Sequence, residues 1–465
     1  MFSRALCTIA FGWVLSSATA IGTPADNLAQ AVRYRTVSEQ DVSAIDYAQF
    51  EQFHAFLRAT YPRVFATLNV ETVAQHSLLL RWQGSGSGEL PLLFTAHMDV
   101  VPIEPGTEGD WEHPPFDGVV ANGRIYGRGT LDDKQGLIGL LEAVEALLEE
   151  GFQPERTVVF AFGHDEEIGG REGAAAIARR MRELGLHFEW MVDEGGVILS
   201  DYPLLEDTPV AMVNVAEKRY FTITLVATGE GGHSSTPPQT STIGRLSAAL
   251  SRIEQNPFPY KLVGPVEAML EALGPHASQP TQFVFNNLWL TGGVVAYLLS
   301  QERLGNGFVR TTTALTMVNA GVKENVVPQR AEAKINFRLL PGDTPEYVVR
   351  TIRDIVADDE IEILYELEAD APPVADYTGS GFAVIKAATH AIYPAVVVVP
   401  SLMFGATDTR HYIDLVDNIY RYHGVLMASA QAQSIHGTNE YVGVDSFEKS
   451  IEVAKKMLQL GAGAH

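Results

Sequence analysis

The chain has 465 residues, 46% of them hydrophobic and 19% charged, and a formal charge of −24. That composition excludes a wholly disordered chain and supplies enough apolar side chains for a packed core. So large an acidic excess also argues against nucleic acid as a partner, because phosphate binding needs a basic face.

The first twenty residues read as a signal peptide. Arg4 gives a positive start, Ala5 to Leu15 is mostly apolar, and Ala18-Thr19-Ala20 has the small-x-small form of a cleavage site. The apolar part is shorter than the ~20 residues a spanning helix needs, and no later segment reaches that length. The expectation is an exported protein, periplasmic or extracellular, with no stable membrane span. The one cysteine, Cys7, falls within the leader. Disulfides and thiol catalysis are thereby excluded from the rest of the chain.

Gly84 to Gly88 alternates glycine and serine and reads as a flexible turn. Leu92-Leu93-Phe94, Val158 to Phe162 and Trp190-Met191-Val192 read as buried strands. Between the first two, Leu137, Leu140, Leu141, Val144, Leu147 and Leu148 keep the spacing of one helix face. Strands alternating with helices imply an α/β fold, a mostly parallel sheet with helices on both faces.

The pattern changes near residue 216. Phe221, Ile223 and Leu225 alternate as in a half-exposed strand. A helix follows over Ile243 to Ile253, then a poorly periodic stretch from Pro257 to Gly307. Strands near Thr311 to Val318 and Glu332 to Leu339 precede a helix after Pro341-Gly342-Asp343. This span, 216–369, reads as a smaller inserted α+β domain, flanked by 21–215 and 370–465. Beyond Pro372-Pro373, Val396 to Val399 returns to buried-strand character. A last helix turns Phe447, Ile451, Ala454 and Leu458 inward, after a cap at Asp445 or Ser446.

Three buried-type strands end in side chains able to hold metal. His97-Met98-Asp99 follows the first, His164-Asp165-Glu166-Glu167 the second, and Asp193-Glu194 the third. Ligands collect at the carboxyl ends of strands in open α/β sheets, so these groups can converge. Asp132-Asp133-Lys134 opens the intervening helix, where its carboxylates either cap that helix or point across the same edge. Nitrogen and oxygen donors without sulfur suit zinc, cobalt or manganese used for hydrolysis. His-Glu-x-x-His and Gly-x-Ser-x-Gly are both absent, which disfavours a zincin or a serine hydrolase.

The motifs His97-Met98-Asp99-Val100-Val101-Pro102, Gly127 to Lys134 (GRGTLDDK) and Asp165-Glu166-Glu167 resemble those of the co-catalytic zinc peptidases. Aminoacylase, glutamate carboxypeptidase and carboxypeptidase S belong there. Val192 to Gly196, Gly232-His233-Ser234-Ser235, Asn325-Val326-Val327-Pro328 and His436 to Glu440 (HGTNE) extend the match. Thr311 to Thr316 and Gly405 to Arg410 (GATDTR) point to the carboxypeptidase S branch, which includes secreted hydrolases of N-fatty-acyl amino acids. Gln135 stands after Lys134 where many members have glycine, a feature of that branch that leaves the metal set untouched.

The resemblance implies a zinc-exopeptidase type of fold whose insert serves as lid and dimerisation domain. It implies two zinc ions per subunit, with Co2+ or Mn2+ as substitutes. Asp132 would bridge them, Glu167 and His436 completing one site, His97 and Asp193 the other. Glu166 would be the general base, and Asp99 would accept a hydrogen bond from the far nitrogen of His97. A cis peptide between Asp132 and Asp133 is implied too. His233 resembles a residue that stabilises the oxyanion, often across a dimer interface. Arg338 is a candidate for the substrate's free carboxylate, a task suited to a two-pronged donor. Asn325 and Arg410 are further substrate candidates, although Arg410 could equally pair with Asp408.

The expected activity is hydrolysis of the amide bond beside a free-carboxylate amino acid, in a peptide or an N-acyl amino acid. A dipeptidase or short-peptide exopeptidase is the rival within enzymes. A non-catalytic binder of amino-acid-like ligands is disfavoured, because five ligands and a base are all present. The apolar stretch Pro257 to Gly307 reads as core, with a channel for an acyl chain as the alternative. The expected partners are a small-molecule substrate and a second copy of the chain in a homodimer.

Overall fold

The computed structural model describes residues 22–86, 88–205, 207–367 and 371–463. The expected signal peptide lies outside them. Among the described residues no helix is long and apolar enough to cross a membrane.

A ten-stranded sheet forms the centre of the molecule. Leu92–His97 runs parallel between Val158–Gly163 and Phe188–Asp193, and Val416–Arg421 continues beside the latter. Every residue of Leu92–His97 and Val158–Gly163 is buried, as befits strands covered on both faces. The hairpin Asn69–Val73 with Ser77–Trp82 adds an antiparallel margin on one side. On the other, Val210–Glu217 pairs in parallel with Val397–Met403. The fold is therefore α/β with a mostly parallel sheet.

Alternate side chains of the strands feed two separate cores. Leu92, Phe94, Phe160 and Phe162 meet Leu137, Leu141 and Val144 of helix Lys134–Glu149 and Phe447 and Leu458 of helix Val444–Ala462. Leu93, Val159 and Ala161 meet Ile177 and Met181 of helix Ala174–Glu183 on the opposite face. The last helix is capped two or three residues before the expected position: Gly443 is its N-cap and makes no side-chain cap bond, while Asp445 lies in the first turn.

A second, four-stranded antiparallel sheet follows the order Thr312–Ala320, Arg330–Leu339, Arg219–Thr228, Ile361–Tyr365. Ala331, Ala333, Ile335, Phe337 and Leu339 alternate inward against helices Thr242–Gln255 and Pro345–Val356. This unit has a core of its own. Only Lys218 separates its strand Arg219–Thr228 from Val210–Glu217 of the large sheet.

The stretch without clear periodicity forms four helices: Gly264–Leu273, Thr281–Phe285, Leu288–Gln301 and Arg303–Val309. Val266, Met269, Leu270 and Leu273 pack against Val397, Val399 and Leu402 of the large sheet. Sequence order places these helices inside the insert, yet the first of them, Gly264–Leu273, packs on the central sheet.

Candidate active site

The carboxyl ends of the parallel strands bring the chemistry together. His97 ends its strand, and its Nε2 lies 2.9 Å from Asp132 Oδ1 and 3.7 Å from Glu194 Oε1. His436 Nε2 lies 2.9 Å from Asp132 Oδ2 and 3.3 Å from Glu167 Oε2. Two donor groups result, His97-Asp132-Glu194 and Asp132-Glu167-His436, the donor atoms of each within 4.8 Å of one another. Asp132 belongs to both. Its peptide bond to Asp133 is cis.

Asp133 settles the two readings of the acidic pair. Its Oδ1 accepts from the Gly136 amide and caps helix Lys134–Glu149, while its Oδ2 accepts from the His97 amide. Asp132 is the member that crosses the edge. Asp99 lies behind His97, with Oδ1 at 3.3 Å from the ring Nδ1 and the Asp99 carbonyl at 3.0 Å. Its two carboxylate oxygens also accept the amides of Glu166 and Glu167, each at 3.1 Å, and Ser38 donates to Oδ2 at 2.6 Å. One buried carboxylate thus orients a histidine and the turn that carries both glutamates.

The structure brings Glu194 within reach of His97 and Asp132, and Asp193 lines the same cavity beside His97, Glu166 and Asp408. Asp193 Oδ1 accepts from Thr95 at 2.6 Å, and Oδ2 is buried without a hydrogen-bond partner. His233 and Asn325 sit together on the insert, where strand Gly232–His233 pairs with Val326–Val327 and Ser234 N donates to the Asn325 carbonyl. His233 is exposed and lies in neither donor group. Arg338 stacks its guanidinium over the Tyr220 ring at 4.8 Å. Burial, with Arg410 among its charged neighbours, holds Arg338 below the usual arginine value.

Glu440 and Arg128 were in the recognised motifs without any role. Glu440 Oε1 accepts the amides of Gly129, Leu131 and Asp132, and Oε2 pairs with Arg128 at 2.7 Å. Arg128 also donates to the Gly437 carbonyl. This buried pair ties the loop of Asp132 to the loop of His436. Spacing alone could not show it, because the partners are some three hundred residues apart.

The field at the site is strongly negative. Burial, with Glu194 and Asp408 near, pushes Glu166 well above the usual carboxylate range. Burial and the charge of Asp132 do the same to Glu194. Burial also raises Asp132, but hydrogen bonds from His436 and His97 outweigh it and hold Asp132 far below. Glu167 Oε1 is buried with no partner. Crowded carboxylates with an orphaned oxygen, two imidazoles and no sulfur fit a pair of divalent cations, whose charge would relieve the repulsion.

A family model described as Peptidase family M20/M25/M40 matches residues 93–460. The chain is a member of this family. Among its M20 relatives, the bovine (Bos taurus) N-fatty-acyl-amino acid synthase/hydrolase PM20D1 is 40% identical over 417 residues, 88% of this chain and 82% of that protein. The probable carboxypeptidase S-like 2 of Dictyostelium discoideum is 37% identical, covering 92% of this chain and 83% of its own length. In fold the chain is similar to an M20 metallo-carboxypeptidase, Sso-CP2 from Sulfolobus solfataricus. The TM-score is 0.63 at 17% identity, covering 94% of this chain and 99% of the other. The M20 chain is thus a metallohydrolase of the branch its motifs indicated.

Proposed function

We propose that the protein hydrolyses the amide bond of an N-acyl amino acid with a free carboxylate, long-chain acyl groups being preferred to peptides. The observation that carries this reading is the pair of donor groups sharing Asp132, with Glu166 one residue from Glu167. His97 and Asp132, with Asp193 or the adjacent Glu194, would hold one zinc ion, and Asp132, Glu167 and His436 the other. When bound, the two ions supply acidification of water and polarisation of the scissile carbonyl.

Glu166 takes the proton of the attacking water and returns it to the leaving amine. Asp99 keeps His97 and the Glu166–Glu167 turn in register. Arg338 and Arg410 receive the substrate carboxylate, and Asn325 reaches the substrate from the same side as its neighbour His233. His233 donates to the oxyanion from a second subunit, a role supported by its exposure and its separation from both donor groups. The active form is then an exported homodimer, and the insert closes over the substrate. Preference for the acyl substrate draws on the 40% identity to the bovine enzyme.

Leucine release by zinc-loaded protein from N-fatty-acyl leucine and from a leucine dipeptide tests the proposal. Faster release from the acyl substrate is expected. Faster release from the dipeptide would instead identify a short-peptide exopeptidase.

A further inference from the structure

Helix Leu288–Gln301 is apolar on both faces. Val295 and Ala296 are buried, and Leu288 and Leu299 pack on the core shared with helix Gly264–Leu273. The opposite face carries Trp289, Leu290, Val294, Tyr297 and Leu298, with Trp289 85% exposed and Leu290 63%. These positions recur as i, i+1, i+5, i+8 and i+9, so they form one stripe along the helix. No Asp, Glu, Lys or Arg occurs between Glu271 and Glu302, in a chain of net charge −24. A helix apolar all round is ordinarily covered on every side.

We propose that this face docks on the surface of neutral or zwitterionic lipid. Three observations choose that occupant. Interfaces between proteins carry a polar rim and many hydrogen bonds that fix register, whereas the stripe offers only the Trp289 indole N–H and the Tyr297 hydroxyl. Those two groups are the kind that sit at head-group depth, with aliphatic neighbours below them. The stripe's lack of charge, beside the acidity of the whole chain, suits a neutral lipid surface and disfavours an anionic one.

A chain of apolar contacts runs from this helix toward the site. The helix leads into Arg303–Val309, where Phe308 packs on Phe404 with ring centroids 4.6 Å apart. Met403, the residue before Phe404, lies against Gly195, which follows Glu194. An amphiphile leaving the lipid would meet this apolar edge before the donor groups. The docking itself does not depend on the substrate assignment.

Tryptophan fluorescence reads the docking directly, since Trp82, Trp111 and Trp190 are buried. Phosphatidylcholine vesicles added to the protein should give a saturable blue shift, quenched by brominated acyl chains and absent in Trp289→Phe. The double variant Leu290→Asp, Leu298→Asp should co-sediment with vesicles at least about tenfold less, with its thermal unfolding curve intact. Phosphatidylglycerol vesicles should bind more weakly than phosphatidylcholine. No shift and no co-sedimentation by a folded protein would overturn the proposal. So would a blue shift that follows protein concentration without vesicles, which would assign the face to a second copy.

Discussion

In the proposed mechanism Glu166 stands one residue from a metal ligand and serves a different role, and substitution separates the two. Glu166→Gln should lower kcat by about 10²–10⁴-fold while both metals remain bound, because only proton transfer is lost. Undiminished turnover in this variant would remove Glu166 from the mechanism. Metal analysis of Asp193→Asn and Glu194→Gln separates the adjacent acids: the variant of the true ligand should lose about one equivalent and the other should keep both, while a full complement in both variants would remove the pair from the metal set. The convergence of His97, Asp132, Glu167 and His436 was readable from sequence because each stands in a motif with few alternatives. Asp193 and Glu194 were not separable that way. The strand ends at Asp193, whose carboxylate turns to Thr95, while Glu194 has passed the strand end and reaches across to His97. Both acids stand at the strand end, and periodicity does not report which of them takes the metal.

Among the elements, the buried strands and the helix after Lys134 were legible because uninterrupted apolar runs and a 3.6-residue period leave little choice. The hairpin Asn69–Val73 and Ser77–Trp82 escaped notice, since its short strands lack clear punctuation. Helix Gly264–Leu273 was hidden for another reason: its apolar residues answer to the central sheet, which the chain has left some fifty residues earlier. Leu270 is fully buried there. Leu270→Ala should therefore cost roughly 2–5 kcal/mol in denaturant unfolding, the range for a large-to-small change in a packed core. A cost below about 1 kcal/mol would mean that this helix is only loosely seated.

At the scale of the whole molecule, two sheets with separate cores meet at Lys218. Its ammonium is buried and donates to the carbonyls of Gly307 and Arg310, at 3.1 and 2.8 Å. Burial, with Arg338 near and Asp343 opposing, lowers its pKa to about 7 from 10.5. Between these values the unfolded chain holds a proton that the folded one has released, so this group makes stability rise with pH across that window. Below pH 7 both states are protonated and its contribution is level. Stability measured from pH 7 to 9 should rise more steeply in the wild type than in Lys218→Met; parallel curves would show that Lys218 keeps its charge. The α/β architecture and the presence of an insert were legible in the sequence. The return of helix Gly264–Leu273 to the large sheet was not, because it is a long-range packing choice.

The central claim is a site of two metals held together by Asp132. Amino-acid release from an N-acyl amino acid, followed while zinc is added back to metal-stripped protein, tests it most directly. Activity should climb to a plateau at about two equivalents per chain and be absent at every zinc level in Asp132→Asn. A plateau at one equivalent, or full activity in the stripped protein, would contradict the account.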